Sequence, residues 1–530
     1  MSLFDSAALA RVQAEFRLSM KALLAALCQD LDQQYTKIAQ SLSLPVGYFR
    51  FLGQVIEQDQ YDHWKVVGWV EALNDLVYFV DLLQQYRVEF DRREFAEQLL
   101  VECQNKFFEN SYIDELFPRG VPQLAGLESR LHRLCVRLSQ EVRQEALFLV
   151  PGLPSEWVSK QKRSAWCVEG NLGCNYERAE PEGAIAVGIA GDWVEGSAAS
   201  KKRLAESKGR CIFVVEPDGM SILVRRTREP LYVMRNREVM WHWAYRPTII
   251  LTQRRTKPVT VGPTLVYGKD RQPQSVDRTD LKQVQRINRA WGTIRQAWPE
   301  EQWILTLFTS RIIPLRAKGV VSFSYRHRPG LSFINCFDRD DLDLIDDLIH
   351  ENSHHHLNLL LRKHVLFLGD HNQQIFYSPW RRSLRPLRGI LHATFTFTMG
   401  AILFERLSTW GARGVRRGAR GKKRSNRKES LIPLTKAQVL RAHFRCLEEL
   451  ESVRYSIQDL EYADRHLGWL TGSGRRLVGQ LAQAITKVGG KIMPHRKAVL
   501  RSKFGPSLRR HVEELKKARQ TYGPVRLSRA

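Results

Sequence analysis

The stretch His350-Glu351-Asn352-Ser353-His354, inside DLIDDLIHENSHHHLNLLLRKH, constrains this chain more than any other. On a helix the two histidines stand one turn apart on one face, with Glu351 beside them. That is how a helix presents two imidazoles to a divalent metal. The preceding run suits a helix start: Asp338 or Asp340 can cap it, and acidic residues fill the first turns, where the helix dipole favours them. Leu357 and Leu361 follow His354 at +3 and +7, so the histidine face turns toward a core. Two plainer readings compete with a metal: His354-His355-His356 as a solvated cluster, and His350 as a satisfied core histidine. The amphipathic setting favours the metal.

A chain of 530 residues is too long for one ordinary core, so two or three domains are expected. Pattern and composition predict an α+β, mostly helical protein: a helical region over 1–150, a strand-rich region over 151–275, a helical metal-binding domain over 276–490, and a basic tail over 491–530. Apolar positions at helical spacing (Leu23-Leu24-Leu27-Leu31; Leu131-Leu134-Leu138) carry the first. Short runs such as AIAVGIA, CIFVVE, SILVRR, PLYVM, TIILTQ and PTLVYG carry the second, and KDRQPQSVDRTD reads as a linker. In the third, LKQVQRINRAWGTIRQAW reads as a helix, and WILTLFTSRIIPL and GVVSFSYRHRPGLSFINCF as strands, the latter broken at Pro329-Gly330. Then follow the histidine helix, a Pro-punctuated extended segment IFYSPWRRSLRPLRG, and helices over 390–407, 436–462 and 474–488.

No run of about 18 uncharged apolar residues exists, so no membrane span is expected, and Gly389–Phe404 reads as a buried helix. The N-terminal segment lacks the basic start and apolar centre of a signal peptide, which implies a cytoplasmic protein. The eight cysteines are scattered without a CxxC pair, against a zinc ribbon or a disulfide framework. The net charge of +26 raises affinity for nucleic acid, anionic membrane surface or acidic peptides, and the plainer reading, which is preferred, spreads it over solvated faces and a tail. Nine bases without an acid between Arg413 and Lys428 mark a disordered basic loop at 411–430, through which nucleic acid is one conceivable partner.

Two imidazoles do not complete a site, and the third ligand decides the chemistry. A metzincin protease needs HExxHxxGxxH, but Leu357 and Leu360 occupy the Gly and His positions, which excludes that class. A zinc metallopeptidase using His350, His354 and Glu405 stays open, with Glu351 as general base. So does a non-haem iron enzyme, whose cosubstrate carboxylate needs an arginine clamp. Arg381, Arg382, Arg385 and Arg388, followed by His392, supply candidates.

The pieces FTSRIIPL, SFSYRHRPGLSFIN, LIHENSHH, YSPWRRSLRPLRGILHATFTF and GWLTGSGRRL, in this order over roughly residues 281–485, resemble the HExxH-type 2-oxoglutarate-dependent peptide β-hydroxylases. The resemblance implies Fe(II) held by His350, His354 and His392, with Arg385, or else Arg381, binding the 2-oxoglutarate carboxylate. Glu351 then orients a ligand or water rather than acting as a base. It further implies hydroxylation of a side-chain β-carbon in a ribosomal natural-product precursor or carrier-bound peptide, and the positive charge favours an acidic leader. Against this stand the zinc peptidase and a basic protein binding nucleic acid or an acidic partner, its motif vestigial.

Overall fold

The computed structural model describes residues 5–44, 46–89, 93–106, 110–149, 281–326, 328–418 and 434–523, with residue 259 and the strands between 164 and 274. The protein is a mostly helical α+β chain, and it divides into two compact units: Ala14–Arg255, and Met1–Gln13 joined with Thr256–Ala530.

The expected helices form α1 (Ser6–Gln33), which belongs to the first unit from Ala14 on, and, within that unit, α2 (Thr36–Ser41), α3 (Val46–Val55), α4 (Trp64–Glu89), α5 (Arg93–Lys106), α6 (Asn110–Leu116) and α7 (Leu127–Leu149). The leucine stripe of α7 packs on α4, where Trp69 is fully buried and donates its indole N–H to Val142 O at 3.1 Å. The strands are β1 (Ser164–Glu169), β2 (Gly173–Arg178), β3 (Ile185–Gly188), β4 (Val194–Glu195), β5 (Cys211–Glu216), β6 (Gly219–Val224), β7 (Pro230–Arg235) and β8 (Glu238–Trp241). β1 pairs with β2, and the rest form an antiparallel sheet in the order β4-β3-β5-β6-β7-β8. Four expected runs (AIAVGIA, CIFVVE, SILVRR and PLYVM) become strands here, whereas TIILTQ lies outside the described residues.

The second unit begins earlier than residue 276. β9 (Thr260–Val261) and β10 (Leu265–Tyr267) pair in parallel with β12 (Arg311–Arg316), and β11 (Pro273–Gln274) pairs with β10 inside the expected linker. β12 also pairs with β14 (Leu331–Asn335), which turns back on β13 (Phe323–Ser324). Gly330 ends that turn at φ +86°, and a Cβ there would lie 2.9 Å from Ser310 Oγ, so only glycine fits. After α8 (Leu281–Ala297), the expected strand start at Trp303 is instead the helix α9 (Gln302–Phe308). Ile304, Leu305 and Phe308 are buried on one helical face, a spacing that an apolar run this short shares with a strand.

The remaining elements are α10 (Asp341–Lys363), β15 (Phe376–Ser378), β16 (Ser383–Arg385), α11 (Leu387–Gly418), α12 (Lys436–Arg465), α13 (Gly472–Ile492), α14 (Arg496–Leu500) and α15 (Gly505–Tyr522). α11 is the hub: it packs on α8, α10, α12 and α13. Its apolar stretch is long and apolar enough to cross a membrane, and 67% of that window is buried inside the protein. α11 runs to Gly418, so the first residues of the expected 411–430 loop are helical, and the rest lies outside the described residues. The expected tail is folded as far as Tyr522, with α14 and α15 packed on α12 and Leu508 and Leu515 buried.

Candidate metal centre

α10 carries the centre, and its start is built from its own acids. Asp340 accepts from the backbone N–H groups of Leu342 and Asp343, while the Asp343 side chain accepts from Asp340 N–H, a reciprocal capping box. Arg441 of α12 bridges both carboxylates, tying this end of α10 down. Asn352 donates to Thr309 Oγ1 at 2.8 Å and Leu305 O at 3.3 Å, which fixes the rotation of α10 against α9.

One turn apart on α10, His350 Nε2 and His354 Nε2 lie 3.2 Å apart, and ligand atoms of His350, Glu351 and His354 all lie within 4.8 Å of one another. His392, on the second turn of α11, presents its ring 6.0 Å from that of His354, at 32°. All three imidazoles are pushed toward the neutral form. Burial lowers His350 most, helped by Arg381 and Arg445 against Asp346. Burial and then His350, His392, His355 and Arg381 take His354 well below the usual range. Burial, with Arg388 and Arg326 behind it, puts His392 at about 3. Neutral imidazole is the ligating form.

Glu351 is 3% exposed, and burial raises its carboxyl to about 8 although Ser324 Oγ donates to it at 2.7 Å. An apolar wall closes the other side. Phe397 meets His350 edge-on at 5.1 Å, and Trp380 stacks on Phe397 at 4.4 Å and 6°. Trp380 Nε1 donates to Glu449 at 2.9 Å, and Arg445 links Glu449 (3.3 Å) to Asp346 (3.1 Å), one turn before His350.

The remaining candidates separate. Arg381, in the β15–β16 loop, is close enough to act on both His350 and His354. Arg388 acts on His392, and its guanidinium is lowered to about 10 by burial and then Arg326. Arg385 stands exposed on β16, opposite Phe376. Glu405 lies 13 residues beyond His392 on α11, about 20 Å along the axis. It is buried beside Lys491 (3.4 Å) and Arg406 (3.7 Å), so α11 does not bring it to the histidines. Sequence reasoning gave no role to Ser324, Arg326, Phe397, Arg445 or Glu449. Only the i,i+4 spacing of Arg445 and Glu449 hints at an ion pair.

No family model and no curated protein matches the chain. The residues themselves must therefore be tested for a metal. With metal–nitrogen bonds of ~2.1 Å, two cis imidazoles span ~3.0 Å on an octahedron and ~3.4 Å on a tetrahedron. The observed 3.2 Å, a hydrogen bond between the two rings, falls between the two and is compatible with either geometry.

Proposed function

We propose that His350, His354 and His392 hold Fe(II), and that the protein hydroxylates a side-chain β-carbon of a peptide with 2-oxoglutarate as cosubstrate. The approach of the His392 ring to within 6.0 Å of the His354 ring carries this reading. It supplies a third neutral nitrogen, whereas Glu405, which the zinc peptidase needs, faces Lys491. A second support is cationic: Arg381, Arg388 and Arg326 surround the three imidazoles, as binding of a dicarboxylate requires. Arg381 and Arg385 are both exposed, and Arg381 takes the role of carboxylate clamp because its charge reaches both imidazoles of α10.

Bound Fe(II) supplies the dioxygen chemistry, with 2-oxoglutarate leaving as succinate and carbon dioxide. The chain's own groups prepare the place. Burial keeps the imidazoles unprotonated, Trp380 and Phe397 exclude water beside His350, and Glu351, held by Ser324, orients its neighbours. The net charge of +26 supports an acidic leader or carrier-borne peptide as substrate.

Protein purified without oxygen, then given Fe(II), 2-oxoglutarate and air, is expected to form succinate, and its peptide to gain one oxygen atom. Peptide cleavage with Zn(II) and no succinate with Fe(II) sinks the reading. His392→Ala is expected to abolish Fe(II) binding by calorimetry, and Glu405→Ala to leave it largely intact.

A further inference from the structure

The loop that carries Trp380 and Arg381 is held from outside by the last helix. β15 and β16 pair Phe376 with Arg385 and Ser378 with Ser383, leaving residues 379–382 as the connection. Arg382 closes this loop at φ +53°, a left-handed conformation that a non-glycine residue keeps only when its surroundings hold it. Two contacts do so: its N–H donates to Ser378 O at 2.8 Å, and its guanidinium pairs with Glu514 of α15 at 3.1 Å. At the foot of the hairpin, Tyr377 stacks on Tyr522 of the same helix, centroids 5.2 Å apart and planes 3° from parallel. Tyr377 also meets Tyr455 of α12 at 5.9 Å. α15 is itself anchored there, since Arg519 lies 3.6 Å over the Tyr455 ring and pairs with Asp459.

On its inner side the same loop inserts Trp380 against Phe397, which touches His350. α15 thus contacts the hairpin at Tyr377 and at Arg382, on either side of Trp380 and Arg381.

We propose that α15 is a latch that fixes the Ser378–Ser383 loop beside the metal centre, with Tyr522 and Glu514 as positioning residues for Arg381 and so for the cosubstrate carboxylate. The inference rests on the assignment of 2-oxoglutarate to this site. Tyr522 is 43% exposed and the Glu514 side chain 40%, so trimming both opens no core cavity.

The test compares full-length wild type with Tyr522→Ala/Glu514→Ala. In metal-free protein, hydrogen exchange should quicken across residues 376–385 and stay unchanged across 341–363. In Co(II)-loaded protein, the Kd for 2-oxoglutarate should rise roughly tenfold, the weight of one charge-assisted hydrogen bond, while the Kd for Co(II) stays constant. Tyr522→Phe, which keeps the stack, should match wild type in both. Unchanged exchange in the hairpin overturns the latch. Faster exchange with unaltered 2-oxoglutarate affinity overturns the positioning role, as does parallel loss of Co(II) and 2-oxoglutarate, the mark of a merely structural prop. Wild-type protein that binds no Co(II), or Co(II) but no 2-oxoglutarate, refutes the proposed function instead, and hydrogen exchange then decides the latch alone.

Discussion

Helix α10 carries two pairs of histidines that differ in everything but residue type. His350 and His354 bring their Nε2 atoms to 3.2 Å, and the His354 ring lies 6.0 Å from that of His392. His355 and His356, the next two residues, point into the core: His355 shares a 3.0 Å hydrogen bond with Ser332 Oγ. His356 is fully buried against Phe308 (4.7 Å, stacked) and Phe395 (5.1 Å, edge-on), and neither ring nitrogen has a hydrogen-bond partner. Each step along a helix turns the side chain by about 100°, so one or two residues separate a candidate ligand from a packing group. Chemistry follows helix phase, and the HHH run is neither one cluster nor a solvated one.

Four substitutions test that contrast. The largest effect is expected at the ligand face. His354→Ala should weaken Co(II) or Fe(II) binding by more than ~100-fold, since even partners outside the ligand set cost 10–100-fold. Calorimetry showing wild-type affinity would erase the difference between the pairs.

At the packing face the sign reverses. His356→Leu replaces an imidazole with two unsatisfied nitrogens by an apolar group of similar size, and should stabilise the protein by ~1–2 kcal/mol with metal affinity unchanged. A loss of stability in denaturant titration, or of metal binding, would show that His356 has a polar task.

Asp340→Ala removes the capping box that sets the start of α10, and should cost ~1 kcal/mol while leaving the metal site in place. A change in metal affinity larger than the change in stability would mean that the cap tunes the histidine spacing directly.

The smallest effect concerns a pair away from the centre, His443 and His495, stacked at 4.0 Å. Burial, then the neighbouring His495, lowers His443 from 6.5 to about 4. A group depressed in the folded state gives stability that is present above pH 6.5 and lost as pH falls toward 4. His443→Phe keeps the stack without the titration, so its Tm should fall less than that of wild type between those pH values, by about 2 °C. Parallel Tm profiles would exclude His443 from the acid response.

Much of the centre was legible in order. Asp340 as cap, the paired histidines and the failed metzincin spacing all follow from local positions, where helix periodicity links residues within one or two turns. The apolar run from Trp303 misled because Ile304, Leu305 and Phe308 satisfy both a short strand and a helix face. Arg385 and Arg381 could not be ranked, because the hairpin register that puts Arg381 in the 379–382 connection and Arg385 on β16 is set by pairing and not by local pattern. Nor was the tail legible as a packed element. Its basic character was plain, but the contacts of Tyr522 with Tyr377 and of Glu514 with Arg382 join residues more than a hundred positions apart.

By itself, the sequence determined that His350 and His354 share a face with Glu351 beside them, because i and i+4 are neighbours on any α-helix, whatever surrounds it. The tertiary structure decided the rest. Packing of α11 against α10 brings the His392 ring to 6.0 Å from that of His354 across 38 residues of chain while α11 carries Glu405 a further 20 Å or so away. That choice is made by the contacts of whole helices, which no local pattern records.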